Sequence, residues 1–187
     1  MNWKNISKEK ILFLLIDFQT QFFSLFNPSL VKASRTNILL FIRIFKELGI
    51  PMIGTEHNRE GLGGTDTTIL NEWAGSPFID KVTFGCCGND VFNKQLQEIS
   101  RPVIVVAGLE TQICVLQTVI ELLEREYEVL VVSDAVLSTT KLKWRNGLEL
   151  MKDADAYIVN TDTLLFYLIK RADTKEFKYL VKLLKNM

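Results

Sequence analysis

Cys114 is the residue of this sequence whose setting most favours nucleophilic chemistry. It follows the apolar run Val103–Ala107 and Gly108, and a segment of helical spacing comes after it. With Thr111 as the N-cap, the thiol would lie in the first helical turn, near unpaired N–H groups and the positive end of the helix dipole. These groups stabilise a thiolate and could bind the oxyanion of a tetrahedral intermediate. The alternative is a buried structural cysteine, because free cysteines are often buried.

Two charged residues, Asp17 and Lys81, could assist such a nucleophile. Asp17 directly follows the apolar run Ile11–Ile16, so its carboxylate could take the thiol proton and later return it to a leaving group. Lys81 lies in Asp80–Gly88, where we expect a short strand or edge segment. Its ammonium could hold Asp17 ionised and lower the thiol pKa. The structural alternatives are a capping or loop aspartate and a solvated surface lysine.

The elements that must position these residues alternate between two kinds of apolar segment. Short runs rich in Val, Ile and Leu without period-2 alternation are typical of strands covered on both faces. We predict strands over Ile11–Ile16, Pro51–Gly54, Val103–Ala107, Val129–Val132 and Ala156–Val159. Helical spacing predicts helices over Leu30–Leu48, Val91–Ile99, Gln112–Glu124, Lys141–Met151, Phe166–Ile169 and Phe177–Leu184. The alternation predicts an α/β fold in three layers, α/β/α, with a mostly parallel central sheet.

One stretch, Asn58–Ile79, interrupts this alternation. Its glycines predict a long loop that contains a turn of helix, and long loops in compact domains are usually functional or mobile. The chain shows no repeat, low-complexity tract or linker, so we predict a single domain over residues 1–187. Ligands of open parallel sheets bind beyond the carboxyl ends of the strands, which is where Asp17 and Cys114 are predicted to lie.

Composition restricts the class of protein. Of 187 residues, 48% are hydrophobic and 24% are charged, which is typical of a soluble globular protein and excludes a disordered chain. Basic and acidic residues number 22 each, so a nucleic-acid groove or a lipid-binding patch is not expected. Three cysteines, of which Cys86 and Cys87 are adjacent, indicate a reducing compartment and a cytoplasmic protein. The run Ile11–Ile16 is too short for a signal peptide or a membrane span.

Taken together, these residues resemble the cysteine hydrolases of the isochorismatase-like superfamily. Within it the sequence is most similar to the isochorismatase domain-containing proteins and their bacterial relatives, whose substrates are poorly defined. The resemblance covers nearly the whole chain and rests on Leu15–Gln19, Lys81 before Phe84, Gly108–Val115, Ser133–Ala135 and Asn160–Phe166. It implies the isochorismatase-like hydrolase fold and a catalytic triad. In that triad Cys114 is the nucleophile, Asp17 the general base and acid, and Lys81 the electrostatic partner.

The resemblance also implies the surroundings of the triad. The family places a cis peptide five residues before the cysteine, which corresponds here to Leu109–Glu110. This bond would help to aim the backbone amides of Ile113 and Cys114 at an oxyanion. By the same analogy Phe22 is an aromatic residue of the substrate pocket, and we place Gln19 in that pocket as well.

Two departures separate this sequence from branches of the superfamily. The nicotinamidase branch carries an Asp-x-His metal motif after the second strand, where this chain has Thr55–Asn58 and its only histidine, His57. A catalytic zinc usually takes three protein ligands, and adjacent residues of a strand such as Glu56 and His57 point to opposite faces. We therefore expect no metal and no cofactor. True isochorismate hydrolases lack the nucleophilic cysteine, so Cys114 argues against vinyl-ether hydrolysis.

The expected function is metal-independent hydrolysis of a small amide-like or related C–N or ester bond through an acyl-enzyme. Two alternatives stay open: a non-amide hydrolysis on the same scaffold, and a binding or scaffold protein that retains the fold without turnover. Between Phe166 and Leu184 the chain carries more apolar residues than one helix face needs, which predicts a homo-oligomer. The expected partners are a small-molecule substrate and further copies of this chain, without nucleic acid or membrane.

Overall fold

The strands form one six-stranded sheet in which all neighbours pair in parallel. The structure, a computed structural model, describes residues 6–185, and residues 1–5 and 186–187 of the predicted domain lie outside this range. The sheet order is β3-β2-β1-β4-β5-β6. The strands are β1 (Ile11–Ile16), β2 (Met52–His57), β3 (Ile79–Lys81), β4 (Val103–Leu109), β5 (Glu128–Leu137) and β6 (Tyr157–Val159). Because the chain builds outward on one side of β1 and then on the other, β1 and β4 flank the topological switch point.

Helices cover both faces of this sheet, which confirms the predicted three-layer α/β/α fold. The helices are α1 (Pro28–Leu48), α2 (Arg59–Leu62), α3 (Thr67–Glu72), α4 (Asp90–Ile99), α5 (Leu116–Glu124), α6 (Lys141–Asp153), α7 (Thr161–Ile169) and α8 (Lys175–Lys185). Residues of α1, α3, α7 and α8 share one hydrophobic cluster, and residues of α4, α5 and α6 share the other. Within residues 6–185, no helix has both the length and the apolar character needed to cross a bilayer.

Strand β1 shows why the apolar runs lack alternation. Its side chains enter both clusters, and all six are fully buried. Those on the α1 side are Ile11, Phe13 and Leu15, and those on the α5 side are Leu12, Leu14 and Ile16. Burial of each such side chain contributes roughly 1.5–3 kcal/mol, so a continuous apolar run is required where helices cover both faces.

Strands β2, β4 and β5 extend beyond their predicted ends at the carboxyl edge of the sheet, whereas β1 and β6 end where predicted. Strand β2 continues through three polar residues to His57, and β5 continues to Leu137 after a register shift in its pairing with β4. The stretch 58–79 contains two short helices, α2 and α3, and ends in the edge strand β3. Polar residues therefore continue β2 and β5 at the edge where Asp17 lies. For this reason apolar character alone could not predict where these strands end.

Candidate active site

Asp17 lies at the carboxyl end of β1 in a backbone conformation that few residues adopt. Its φ is 50°, in the left-handed region that aspartate tolerates better than most residues. Its N–H donates to the carbonyl oxygen of Thr55 on β2 at 3.0 Å. The residue is completely buried, so the carboxylate is held inside the protein at the switch point.

Lys81, on the edge strand β3, neutralises this carboxylate. Its Nζ donates to Asp17 Oδ2 at 2.7 Å and to the carbonyl oxygens of Thr83 at 3.1 Å and Phe84 at 2.9 Å. These bonds use all three donors of the ammonium, which is only 2% exposed. Burial is the largest single influence and lowers the pKa of Lys81, but the charge and hydrogen bond of Asp17 together with Cys86 and Cys114 outweigh it, so the pKa lies above its ordinary value. Lys81 is therefore a buried, charged partner of Asp17 and not a solvated surface lysine.

Cys114 approaches the same carboxylate from a π-helical turn, Thr111–Val115, between β4 and α5. Its thiol lies beside the Asp17 side chain, which is close enough to raise the pKa of Cys114, and the residue is almost completely buried. Burial raises the pKa of Cys114, the charge of Asp17 raises it further, and the charge of Lys81 opposes both. The resting group is thus a thiol that faces a carboxylate. Our expectation of a lowered thiol pKa is wrong, because burial and the neighbouring anion outweigh the cation.

The backbone of the π-helical turn corrects two further predictions. Glu110, not Thr111, occupies the N-cap position, and the Thr111 hydroxyl is buried without a hydrogen-bond partner. The N–H of Ile113 donates to the Glu110 carbonyl oxygen at 3.0 Å, and the N–H of Val115 donates to the same oxygen at 3.2 Å. The Ile113 N–H is therefore used to close the turn. This leaves the N–H of Cys114 as the candidate donor to an oxyanion.

The Leu109–Glu110 peptide, predicted to be cis, is trans. The chain enters the π-helical turn through Gly108, whose φ of 128° lies outside the region that side chains favour, and Glu110 is extended. A Cβ on Gly108 would overlap the carbonyl oxygen of Ile16 on β1. The close approach of β4 to β1, beside both Asp17 and Cys114, therefore requires a glycine.

Comparison with known proteins shows the family to which this chain belongs. The family described as "Isochorismatase domain" matches residues 12–163. This chain belongs to the isochorismatase family. "Isochorismatase family protein 1A" of Dictyostelium discoideum is 34% identical to it, over 96% of this chain and 88% of the relative.

Two solved structures share the fold of this chain. The MAR1 ribonuclease from Caenorhabditis elegans superposes with a TM-score of 0.88 at 29% identity, covering 96% of this chain and 92% of that one. YcaC from Escherichia coli, described as an octameric hydrolase of unknown specificity, superposes with a TM-score of 0.87 at 20% identity, covering 95% and 89%. The predicted isochorismatase-like fold is confirmed.

In this isochorismatase-family site, Gln19 has a structural role instead of the predicted pocket role. Its Nε2 donates to the carbonyl oxygens of His57 at 3.1 Å and Gly63 at 2.6 Å, and its Oε1 accepts from the His57 N–H at 2.7 Å. The residue is completely buried, and its amide satisfies backbone groups where β2 ends. Phe22 is half-buried and packs against the α1-side cluster, and its role in a pocket stays a prediction.

At the end of β2, where the nicotinamidase branch carries its metal motif, the side chains of His57 and Glu56 contact different partners. His57 stacks on Phe84 with ring centroids 5.2 Å apart. Glu56 accepts from the Thr65 N–H at 2.7 Å and lies 3.3 Å from Arg59 Nη1. Across residues 6–185, no group of three or more His, Cys, Asp or Glu side chains is placed to hold a metal ion. Catalysis without a metal stays a prediction.

Two buried threonines contact the site and were not assigned a role from the sequence. Thr55 Oγ1 donates to Asp17 Oδ1 at 2.7 Å. Thr118 Oγ1 donates to the carbonyl oxygen of Cys114 at 2.7 Å and accepts from the Cys86 N–H at 3.0 Å. Their positions in the sequence could have pointed to these roles, because Thr55 follows an apolar run and Thr118 comes one helical turn after Cys114.

Proposed function

We propose that this protein is a cysteine hydrolase that cleaves a small amide-like or related C–N or ester bond through an acyl-enzyme on Cys114. One observation carries the proposal: the buried Lys81 ammonium lies 2.7 Å from the Asp17 carboxylate, and the Cys114 thiol lies beside that carboxylate. An activated nucleophile requires an adjacent base, and that base must be oriented by a third group. The positions of Asp17 and Lys81 support these two roles.

In the proposed acylation step, the Cys114 sulfur bonds to the carbonyl carbon of the substrate as its proton moves to Asp17. The N–H of Cys114 donates to the resulting oxyanion. The tetrahedral intermediate then expels the amine or alcohol, which takes the proton from Asp17, and the thioester is left on Cys114. Lys81 stays protonated throughout and offsets the charge of the carboxylate.

In the deacylation step, water gives a proton to Asp17 as its oxygen bonds to the thioester carbon. The second tetrahedral intermediate breaks its C–S bond, and Asp17 returns the proton to the sulfur. The acid leaves and the thiol of Cys114 is restored. These steps need no metal or other cofactor, since Cys114 supplies the nucleophile.

We also propose a small-molecule substrate and a cytoplasmic, reducing location. Cys86, Cys87 and Cys114 are free thiols, as proteins of a reducing compartment usually have. A net charge of +0 favours a small substrate over nucleic acid, although the C. elegans neighbour is named a ribonuclease.

Replacing Asp17 by asparagine is expected to separate thiol reactivity from turnover. The charge of Asp17 contributes to the raised pKa of Cys114, so its removal beside Lys81 lowers that pKa. We expect iodoacetamide to alkylate Cys114 faster near neutral pH, by about 3-fold for each unit of pKa, because the thiolate fraction rises while the nucleophilicity of the thiolate falls. Turnover should fall by about 10²–10⁴-fold, because no proton acceptor remains. Peptide mapping by mass spectrometry and steady-state assays of a panel of small amides, esters and carbamoyl compounds measure the two effects.

Cys87 is the internal reference for this alkylation. Burial raises its pKa to about 12, and its charged neighbours are Arg125 and Glu121 and not Asp17. Its labelling should therefore be the same in wild type and variant, and circular dichroism checks the fold. Wild-type turnover in the Asp17→Asn variant would remove Asp17 from the mechanism. Slower alkylation of Cys114 would contradict the arrangement of its charges.

We propose further that the protein is a homo-oligomer, as the octameric description of E. coli YcaC suggests. The C-terminal helices themselves pack largely on the α1-side cluster, and in them Phe166 and Leu184 are left exposed. Apolar side chains elsewhere, Val82 and Leu142 among them, are more exposed and would be covered between subunits. Sedimentation velocity at micromolar concentration should give a multiple of the chain mass, and a single species of one chain would contradict the proposal.

A further inference from the structure

Thr55 lies between the strands that carry the two charged residues of the site. On one side it is in register with Ile16, the residue before Asp17, and on the other with Ile79 of β3. It holds Asp17 at two points: its carbonyl oxygen accepts the Asp17 N–H at 3.0 Å, and its Oγ1 donates to Asp17 Oδ1 at 2.7 Å. Thr55 is completely buried, so its side chain is shielded from bulk solvent.

The two oxygens of the Asp17 carboxylate have different donors. Lys81 donates to Oδ2 and Thr55 donates to Oδ1. The χ2 torsion of aspartate is soft, so a donor at each oxygen is what fixes the plane of this carboxylate. The Thr55 side chain is in turn restricted at χ1, because threonine is β-branched.

The hydroxyl of Thr55 is itself oriented by a third group. Its Oγ1 lies 3.8 Å from the Cys86 Sγ. Thr55 donates its single hydroxyl hydrogen to Asp17, so across this contact its Oγ1 can only accept from the Cys86 S–H. A chain of hydrogen bonds therefore runs from Cys86 through Thr55 to Asp17, and each bond in such a chain polarises the next.

We propose that Thr55 is a positioning residue of the reaction, whose hydroxyl holds the Asp17 carboxylate in the orientation that accepts the Cys114 proton. This inference rests on the proposed cysteine hydrolase mechanism. Without the Thr55 hydroxyl, Lys81 holds only Oδ2, and the carboxylate loses the donor that the structure gives to Oδ1. Because Thr55 is completely buried beside Asp17, it acts through the base and not through contact with the substrate.

Replacing Thr55 by valine, which keeps the shape and removes the hydroxyl, tests this role. We expect kcat to fall by about 10- to 100-fold, a part of the full effect of a general base, with KM unchanged. The pH–rate profile should also differ from that of wild type, because a hydrogen-bond donor to the charged site has been removed. The titratable groups around this carboxylate are Lys81, Cys114 and Cys86. Thr55→Ser retains the hydroxyl and should stay within about 3-fold of wild type, as hydrogen bonding and not packing carries the effect.

A matched control is Thr65→Val, which removes another buried hydroxyl, one without a hydrogen-bond partner. It should leave both kcat and the pH profile unchanged. All variants are assayed on the best compound of the substrate panel, or on 4-nitrophenyl acetate if no better one is found, with Cys114→Ala in parallel. If Thr55→Val does not fold, Thr55→Ala removes the hydroxyl without the second methyl group.

The outcomes separate this inference from the mechanism on which it rests. Turnover that persists in Cys114→Ala refutes the cysteine hydrolase itself. Loss of turnover in Cys114→Ala together with a wild-type kcat and pH profile in Thr55→Val refutes only the role of Thr55. If Thr55→Ser is impaired as much as Thr55→Val, packing of the side chain matters and the hydroxyl does not, which also overturns the proposal.

Discussion

Replacement of Cys114 by serine is expected to reduce turnover by about 10⁴-fold, the size of loss that follows removal of a triad member. A hydroxyl has a far higher pKa than a thiol, and Asp17 is a poor base for it. The exchange of one atom should leave the π-helical turn intact, because Thr118 holds the Cys114 carbonyl oxygen and the backbone closes on Glu110. Steady-state kinetics on the panel of small amides, esters and carbamoyl compounds measure the loss.

Cys87→Ser is the matched control, since Cys87 is a buried thiol outside the proposed mechanism, and it should keep the wild-type rate. Full activity of Cys114→Ser would contradict the nucleophile. Each assay is repeated after dialysis against EDTA, with metal removal confirmed by elemental analysis. Activity that is lost on chelation and restored by one metal would contradict the metal-free mechanism. A wild type that binds panel compounds without turning them over would favour the binding-protein alternative.

Replacement of Lys81 by methionine is expected to destabilise the protein by about 3–5 kcal/mol and to remove most of its activity. Methionine has a similar length but leaves the Asp17 carboxylate buried without a counter-charge. The pKa of Lys81 is raised in the folded state from its ordinary value of 10.5. Its contribution to stability is therefore complete below that value and is lost as pH rises through the folded pKa. Urea unfolding at neutral and at strongly alkaline pH should show a difference between wild type and variant that shrinks at the higher pH.

An exposed ion pair provides the control for Lys81→Met. Lys175 Nζ lies 3.1 Å from Glu47 Oε1 at the surface, and Lys175→Met should leave the free energy of unfolding unchanged within error. The double variant Asp17→Asn/Lys81→Met removes both buried charges and should recover much of the stability. Wild-type stability of Lys81→Met would show that the ammonium is not a buried partner of Asp17.

The sheet and the place of the candidate site at its carboxyl edge could be predicted from the sequence because both depend on strands, whereas the proposed triad was implied by the family resemblance. Where helices cover both faces of a sheet, a strand such as β1 must be apolar throughout, so its end is visible as the first charged residue, Asp17. The order of the strands then brings the ends of β1 and β4 together. Residues directly beyond those ends were therefore the candidates for the site.

Other features of the site depend on contacts between residues that are far apart in the sequence, which local sequence patterns do not predict. Gln19 follows the same strand as Asp17, yet its amide is taken up by backbone groups of His57 and Gly63, 38 and 44 residues away. The direction of the Cys114 pKa shift depends on how deeply the thiol is buried and on its contact with Asp17. Spacing predicts neighbours in a helix or strand, but it does not predict burial or the balance of opposite charges.

The lack of a side chain at Gly108 allows β4 to lie close to β1 beside the site. The position can hold a hydrogen atom and nothing larger, since any added carbon would push β4 away from the Ile16 carbonyl oxygen. Asp17 is attached to that carbonyl, while Cys114 follows Gly108 by six residues in the next turn. A larger residue here would change the distance between Asp17 and Cys114, the proposed base and nucleophile, without altering either residue. The working distance of the site is thus kept by a residue that has no side chain.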